Sequence, residues 1–334
     1  MQHSICLTAG LILMAIGLKQ SPSPKNFVVH RLAPGIWAAI QNDKGGHAIS
    51  NAGIVDLGDK TLVFDAFMNP DAAMELNITA KQLTGHPVAF VVNSHYHDDH
   101  IRGNQVFVPG ATIISTEWTR NEISKAEPEE QKWLKTHIKQ QVENAREEFR
   151  RAKPAEKDED LMWESYYEGI ARSLPTLKTS LPGLAFKDSL WIHGSARSVL
   201  LIECSGGHTN SDIIMVVPKD GVAFMGDVLF VNRHPWLGEA SPDSLKKHLQ
   251  RFYSDSTLKQ FVPGHGPVAG RESLQTLIQY VNDLQQLAND AAQKNEPDSV
   301  FLKTPVMSAY KDWWFSRFYT DNLQVVYDQA KKRK

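Results

Sequence analysis

Directly after the apolar run Val88–Asn93 the chain reads Ser94-His95-Tyr96-His97-Asp98-Asp99-His100. A continuous apolar stretch of that length is the pattern of a strand buried on both faces of a sheet. Four potential ligands, His95, His97, Asp99 and His100, follow it in the pattern H-x-H-x-D-H. The candidate chemistry therefore sits where a strand ends. A turn at a strand end lets His95 and His97 face one way while Asp99 and His100 face another, so one motif can feed two adjacent metals. Imidazoles and carboxylates packed this tightly suit divalent ions of intermediate softness, zinc first. A lone strand His is usually a satisfied polar group; four ligands within six positions are not.

Three further phrases follow in order. Ser205-Gly206-Gly207-His208-Thr209 sets a His in a glycine-rich turn, Phe224-Met225-Gly226-Asp227 sets an Asp after an apolar strand, and Pro263-Gly264-His265-Gly266 sets a His in another tight turn. Taken singly, each is more often a turn or capping residue. Strands are predicted over residues 27–32, 36–41, 49–57, 61–67, 88–93, 111–115, 198–204, 213–217, 222–225 and around 261–262, with Gly58-Asp59-Lys60 as a hairpin turn. Helical patterns cover 71–83, opened by Asn69-Pro70 and ended near Gly85, and then 241–253 and 271–294. Strands in both halves with helices between them predict an α/β fold with layers around sheets rather than a helical bundle.

Residues 121–160 break this pattern. Half of them are Asp, Glu, Lys or Arg, while Trp133, Leu134, Ile138 and Val142 recur at helical spacing. The charge run predicts solvated helix faces. Trp118, Trp133, Trp163, Tyr166 and Tyr167 also make the insertion, about 120–182, a candidate aromatic lid. Near the C-terminus Tyr310, Trp313, Trp314, Arg317 and Phe318 follow i, i+3, i+4, i+7, i+8 spacing, which predicts a docking face on the last helix.

Composition excludes other classes. A formal net charge of −2 argues against a chain built to neutralise nucleic-acid phosphates. Two cysteines, Cys6 and Cys204, support neither a disulfide scaffold nor an all-cysteine zinc site. Residues 5–18 are an uncharged apolar run, short of the ~20 a membrane span needs but suited to an export signal. With the small residues of Ala15-Ile16-Gly17 at its end, this predicts a signal peptide over residues 1–22 and a periplasmic or secreted protein with no stable membrane anchor after cleavage.

The ordered motifs H-x-H-x-D-H, G-G-H-T, G-D and P-G-H-G resemble those of the metallo-β-lactamase superfamily, over roughly residues 27–295. Asn51-Ala52-Gly53-Ile54-Val55 and Val63-Phe64-Asp65-Ala66 resemble its opening strands. The resemblance implies an α/β fold of αββα four-layer sandwich type over 27–300, here with a charged helical insertion, and leaves 301–334 as a C-terminal helical extension. It implies a first metal on His95, His97 and His208 and a second on Asp99, His100 and His265. Asp227 would bridge the two, and Asp65 would orient a ligand imidazole. The β-lactamase classes with a Cys ligand have it where Asp227 stands here, and Gly226-Asp227-Val228-Leu229-Phe230 resembles the glyoxalase II and lactonase-type hydrolases.

The implied cofactors are two Zn2+, with iron or manganese as alternatives. The implied function is hydrolysis of an ester, lactone, thioester or amide, β-lactams included, in a small-molecule substrate and without nucleic acid. Two metals lower the pKa of a shared water toward about 7, and Asp99 is the candidate to orient it and carry its proton. Arg233, His234 and Trp236 follow Asp227 closely and are the candidate substrate contacts. Tyr96 and Asp98 are expected to pack and hydrogen-bond, and Cys204 to be a buried apolar side chain. Two alternatives stand beside this: a mononuclear iron oxidoreductase of the sulfur dioxygenase type, and a metal-binding protein without turnover.

Overall fold

Residues 23–333 are described by a computed structural model of the chain; the predicted signal peptide, 1–22, lies outside them. The β-branched, apolar runs of the N-terminal half form one sheet: β1 (Phe27–Ala33), β2 (Ile36–Gln41), β3 (Ala52–Asp56) and β4 (Thr61–Phe64) pair antiparallel in sequence order. The hairpin at Gly58-Asp59-Lys60 is closed by Leu57 N–H donating to the Lys60 carbonyl, 2.9 Å. Helix α1 (Pro70–Thr84) then crosses over to β5 (Val88–Val92), which runs parallel to β4. Asn69 caps α1 by accepting from Ala72 N–H, and Gly85 ends it in the left-handed region at φ 77°.

Two short helices, α2 (Asp98–Ile101) and α3 (Asn104–Phe107), lead to β6 (Thr112–Thr116). The charged segment forms two helices, α4 (Glu117–Arg151) and α5 (Lys157–Ser173), before β7 (Leu184–Phe186) closes the seven-stranded sheet beside β6. A second sheet holds β8 (Ser189–His193), β9 (Ser198–Cys204), β10 (Asp212–Val217), β11 (Val222–Phe230) and β12 (Gln260–His265) in the order β12-β11-β10-β9-β8. Helix α6 (Pro242–Ser254) joins the parallel pair β11 and β12; α7 (Arg271–Gln293), α8 (Asp298–Phe301) and α9 (Tyr319–Lys332) follow.

Burial fixes the layering. Val55, Leu62, Phe64, Val92, Leu201, Met215 and Phe224 fill the space between the sheets. Ala72, Leu76 and Phe107 cover the outer face of the first sheet, and Leu245, Leu277 and Val281 that of the second. The result is the expected helix–sheet–sheet–helix sandwich. On α4, Leu134, Ile138 and Val142 pack with Met162, Trp163 and Ile170 of α5 against Ile49, Met68, Phe230 and Phe315. Most of the charges lie outside, as predicted, but Glu127 of α4 is buried. Trp133 departs from the buried stripe: it is 47% exposed and stacks on His137 one turn later.

Several element boundaries differ from the sequence reading. The strand predicted from Ile49 begins at Ala52, because Ile49 adopts φ 67°; the one predicted to Phe67 ends at Phe64, because Asp65 and Phe67 have φ 63° and 66°. Short β7 and edge strand β8 carry no apolar run long enough to have been anticipated. The C-terminal aromatic stripe is not a helical face. Its residues lie in two 3-10 turns, Ser308–Tyr310 and Ser316–Phe318, and in the strap between them, and the last helix starts only at Tyr319. Among the described residues no helix is long and apolar enough to cross a membrane.

Candidate metal centre

Both sheets deliver ligands to one edge. The chain leaving β5 carries His95, His97, Asp99 and His100; the β9–β10 turn carries His208; β11 carries Asp227; the end of β12 carries His265. Asp227 reaches this point because β11 loses regular register with β12 between Phe224 and Phe230. Gly226, at φ 51°, sits where a Cβ would meet Ser94 Cβ at 2.7 Å, and a Cβ on Gly264 would meet Asp227 Oδ1 at 1.8 Å. These two glycines let the crossing backbones approach closely enough to share one site.

The side chains gather into two groups, His95, His97, His208 and Asp227, and Asp99, His100 and His265. Within each group one candidate ligand atom per residue lies within 4.8 Å of the others. Asp227 stands between the groups: Oδ2 is 3.4 Å from both His208 Nε2 and His265 Nε2, and Oδ1 is 3.2 Å from His100 Nε2. Asp99 Oδ2 is 3.2 Å from His265 Nε2.

The far nitrogens are tied down. His100 Nδ1 donates to Asp65 Oδ2 at 2.9 Å and His265 Nδ1 to the Ile49 carbonyl at 3.2 Å, while His95 Nδ1 shares a hydrogen bond with Ser94 Oγ at 2.9 Å. Each of these rings thus aims Nε2 inward. Asp65 also accepts from Ser94 N–H at 2.7 Å, so its left-handed backbone, costly for a non-glycine residue, serves to brace the motif from behind.

Charge and burial divide the imidazoles. Burial, with neighbouring imidazoles, holds His95 well below its usual range, and burial brings His97 down and His208 to about 3. For His100 and His265 burial opposes protonation, but Asp99 and Asp227 outweigh it; His100 goes well up and His265 to about 9. The same two imidazoles hold Asp99 at about 2, against its burial. The two carboxylates thus favour positive charge at His100 and His265, and a cation bound there would compete with their protons. Donor chemistry fits such a cation: five imidazoles and two carboxylates converge, and the Nε2 atoms of His95 and His100 and Asp227 Oδ1 are buried with no hydrogen bond of acceptable geometry.

Above this floor opens a cavity of ≈ 550 Å³. Tyr96 and Trp236 flank His97, whose ring centroid is 4.7 and 5.4 Å from theirs. The opposite wall comes from Trp163, Tyr166 and Tyr167 of α5 and from Phe315, Arg317 and Phe318 of the C-terminal strap. The insertion therefore lines the cavity, and so does the strap, whose aromatic spacing suggested only a docking face. Arg102, just past His100 and 3% exposed, pairs with Asp98 at 2.7 Å, Glu127 at 2.8 Å and Glu130 at 3.1 Å, clamping α4 to the ligand loop. No sequence motif marks that residue; an Arg beside a ligand cluster and an acidic helix is the one signal it leaves.

Of the candidate substrate contacts, only Trp236 lines the cavity. Arg233 is buried, pairs with Asp43 at 3.0 Å and lies over the Trp314 ring. His234 packs among Tyr280, Trp313 and Tyr319, with Nδ1 3.0 Å from Tyr280 Oη. Tyr96 hydrogen-bonds Glu239 and Asp98 pairs with Arg102, as packing residues should. Cys204 is buried in the core, its thiol pushed up to about 12 by desolvation.

Comparison with known proteins agrees with the geometry. A family model described as the metallo-beta-lactamase superfamily matches residues 45–276. No curated protein matches in sequence. Among solved structures, a metallo-beta-lactamase from Pontibacter korlensis superposes with TM-score 0.56 at 17% identity, covering 77% of this chain and 99% of that one. FIM-1 from Pseudomonas aeruginosa, in a mono-zinc form, gives 0.53 at 18%, covering 78% and 97%. A metallo-beta-lactamase from Hirschia baltica gives 0.53 at 16%, covering 77% and 98%.

Proposed function

The chain belongs to the metallo-β-lactamase superfamily, and from that premise we propose that it is an exported, two-zinc hydrolase of an ester, lactone, thioester or amide bond, β-lactams included. One observation carries the reading. Buried nitrogens and a carboxylate oxygen that lack a hydrogen bond of acceptable geometry converge at the floor of a substrate-sized cavity. That FIM-1 is solved with zinc supports the choice of metal. His95, His97 and His208 would hold one ion, Asp99, His100 and His265 the other, and Asp227 both. Ions bound there acidify water and polarise the substrate electrophile.

The chain's own residues do the rest. Asp65, Ser94 and the Ile49 carbonyl keep the imidazoles oriented. Asp99, at the cavity surface, orients the attacking water and takes its proton. Tyr96 and Trp236 shield the His97 side from bulk solvent. The apolar run at residues 5–18 supports export.

Metal analysis of the purified protein, run with a panel of lactones, thioesters, phosphodiesters, simple esters and β-lactams, tests the proposal. Two zinc per chain and a hydrolysis lost in His97→Ala are expected. One iron with oxygen consumption, or a panel negative throughout, would overturn it. Cell fractionation showing the full-length protein in the cytoplasm would overturn the export part alone.

A further inference from the structure

The wall facing the metal centre is built from parts the sandwich does not require, and its chemistry is one-sided. Trp163, Tyr166 and Tyr167 come from the helical insertion; Phe315, Arg317 and Phe318 come from a strap beyond the residues the family model matches. Phe315 is held at φ 64°, a region that a non-glycine side chain rarely occupies. That backbone sets its ring 5.4 Å from His265 and 5.3 Å from Trp163, between the floor and the lid. The Arg317 guanidinium lies over Trp163, 4.0 Å from the ring centre, with Glu148 at 3.5 Å.

The hydroxyls near the reacting end are already engaged: Tyr166 Oη donates to Asp98 and Tyr96 Oη to Glu239. The carboxylates of Asp98, Glu127 and Glu130, which also line the cavity, are paired with Arg102, so what remains is largely ring face. Water against such a surface has few partners, and an apolar group that displaces it gains free energy.

Resting on the hydrolase reading above, we propose that this wall selects substrates carrying a large apolar substituent, alkyl or aryl, beside the bond that is cut. The substituent lies against Trp163, Phe315 and Phe318, and its burial sets specificity while the floor performs the chemistry.

Two measurements on the full chain test this. Calorimetric binding of neutral 1-butanol, 1-hexanol, 1-octanol and 2-phenylethanol needs no turnover; nitrophenyl esters with two- to eight-carbon acyl groups, assayed with zinc, report kcat/KM. In the unmodified protein both should climb with chain length, up to about fourfold per methylene, and 2-phenylethanol should bind more tightly than 1-butanol. The slope should flatten in Phe318→Ala and in Tyr167→Ala, both half-buried rim positions, and persist in Trp133→Ala, whose exposed side chain does not line the cavity. Near-ultraviolet circular dichroism identifies any variant that has lost its packing, and the other rim variant then decides. A flat series in the unmodified protein, or a slope kept in both rim variants, would overturn the proposal. A chain-length slope in binding with every ester, lactone, thioester, phosphodiester and β-lactam of the panel uncut leaves the wall intact and sinks the hydrolase reading instead.

Discussion

The floor and the far wall of the cavity are built on opposite principles. The floor is polar, almost fully buried and assembled from strand ends of two sheets, where glycines at 226 and 264 permit backbones to touch. His95, His100 and His265 each have a second partner that fixes the direction of the ring, and Asp99 and Asp227 each face an imidazole. The wall is aromatic, partly exposed and carried by a helical insertion and a C-terminal strap. Reactivity is thus set where the fold leaves least freedom. Selection is set on segments that can change without disturbing the sheets.

If that division is real, substitutions on the two sides must fail differently. The largest effect is expected for His208→Ala. Hydrolysis should fall to background and metal content should drop, by elemental analysis, while circular dichroism stays native. Next is Arg102→Met, which strands the carboxylates of Asp98 and Glu127. Breaking a buried pair from one side costs about 3–5 kcal/mol, read from the denaturant midpoint. Retained stability would mean that the clamp between α4 and the ligand loop contributes little. Asp65→Asn should lower metal affinity by about 10–100-fold, measured by competition with a chelator, and leave the wall's chain-length preference untouched. The smallest effect is expected for Trp133→Ala: its side chain faces solvent, so stability should stay within about 0.5 kcal/mol.

The same division explains what could be read from sequence. Ligand chemistry is local and costly in residue type, so His95, His97, Asp99 and His100 announce themselves within six positions, and Asp65 stands at the end of an apolar strand. The glycine-bearing turns around His208 and His265 follow from backbone geometry. Proximity along the chain, by contrast, misled at Arg233 and His234. After β11 the chain turns, with Asn232 at φ 55°, and commits Arg233 to an ion pair with Asp43 and His234 to a contact with buried Tyr280. The strap misled for a related reason. Its aromatic spacing matches a helix, but Arg233 bridges to Trp314 in extended pairing and Phe315 turns left-handed, so tertiary contacts override local periodicity. Arg102 leaves only a faint signal because its role exists only once α4 has folded back over the ligand loop.

Glu159 bears on how the cavity meets a ligand. Its Oε1 accepts both from the Trp163 indole N–H at 3.2 Å and from the Phe315 backbone N–H at 2.7 Å. Two segments distant in sequence therefore hang from a single atom, and the strap continues into a helix packed on the body of the sandwich. The separation between lid and strap is then a property of the folded chain, not something each ligand must impose. The entropy of ordering those rings is lost once, during folding, and an arriving molecule meets a recess already at its working width.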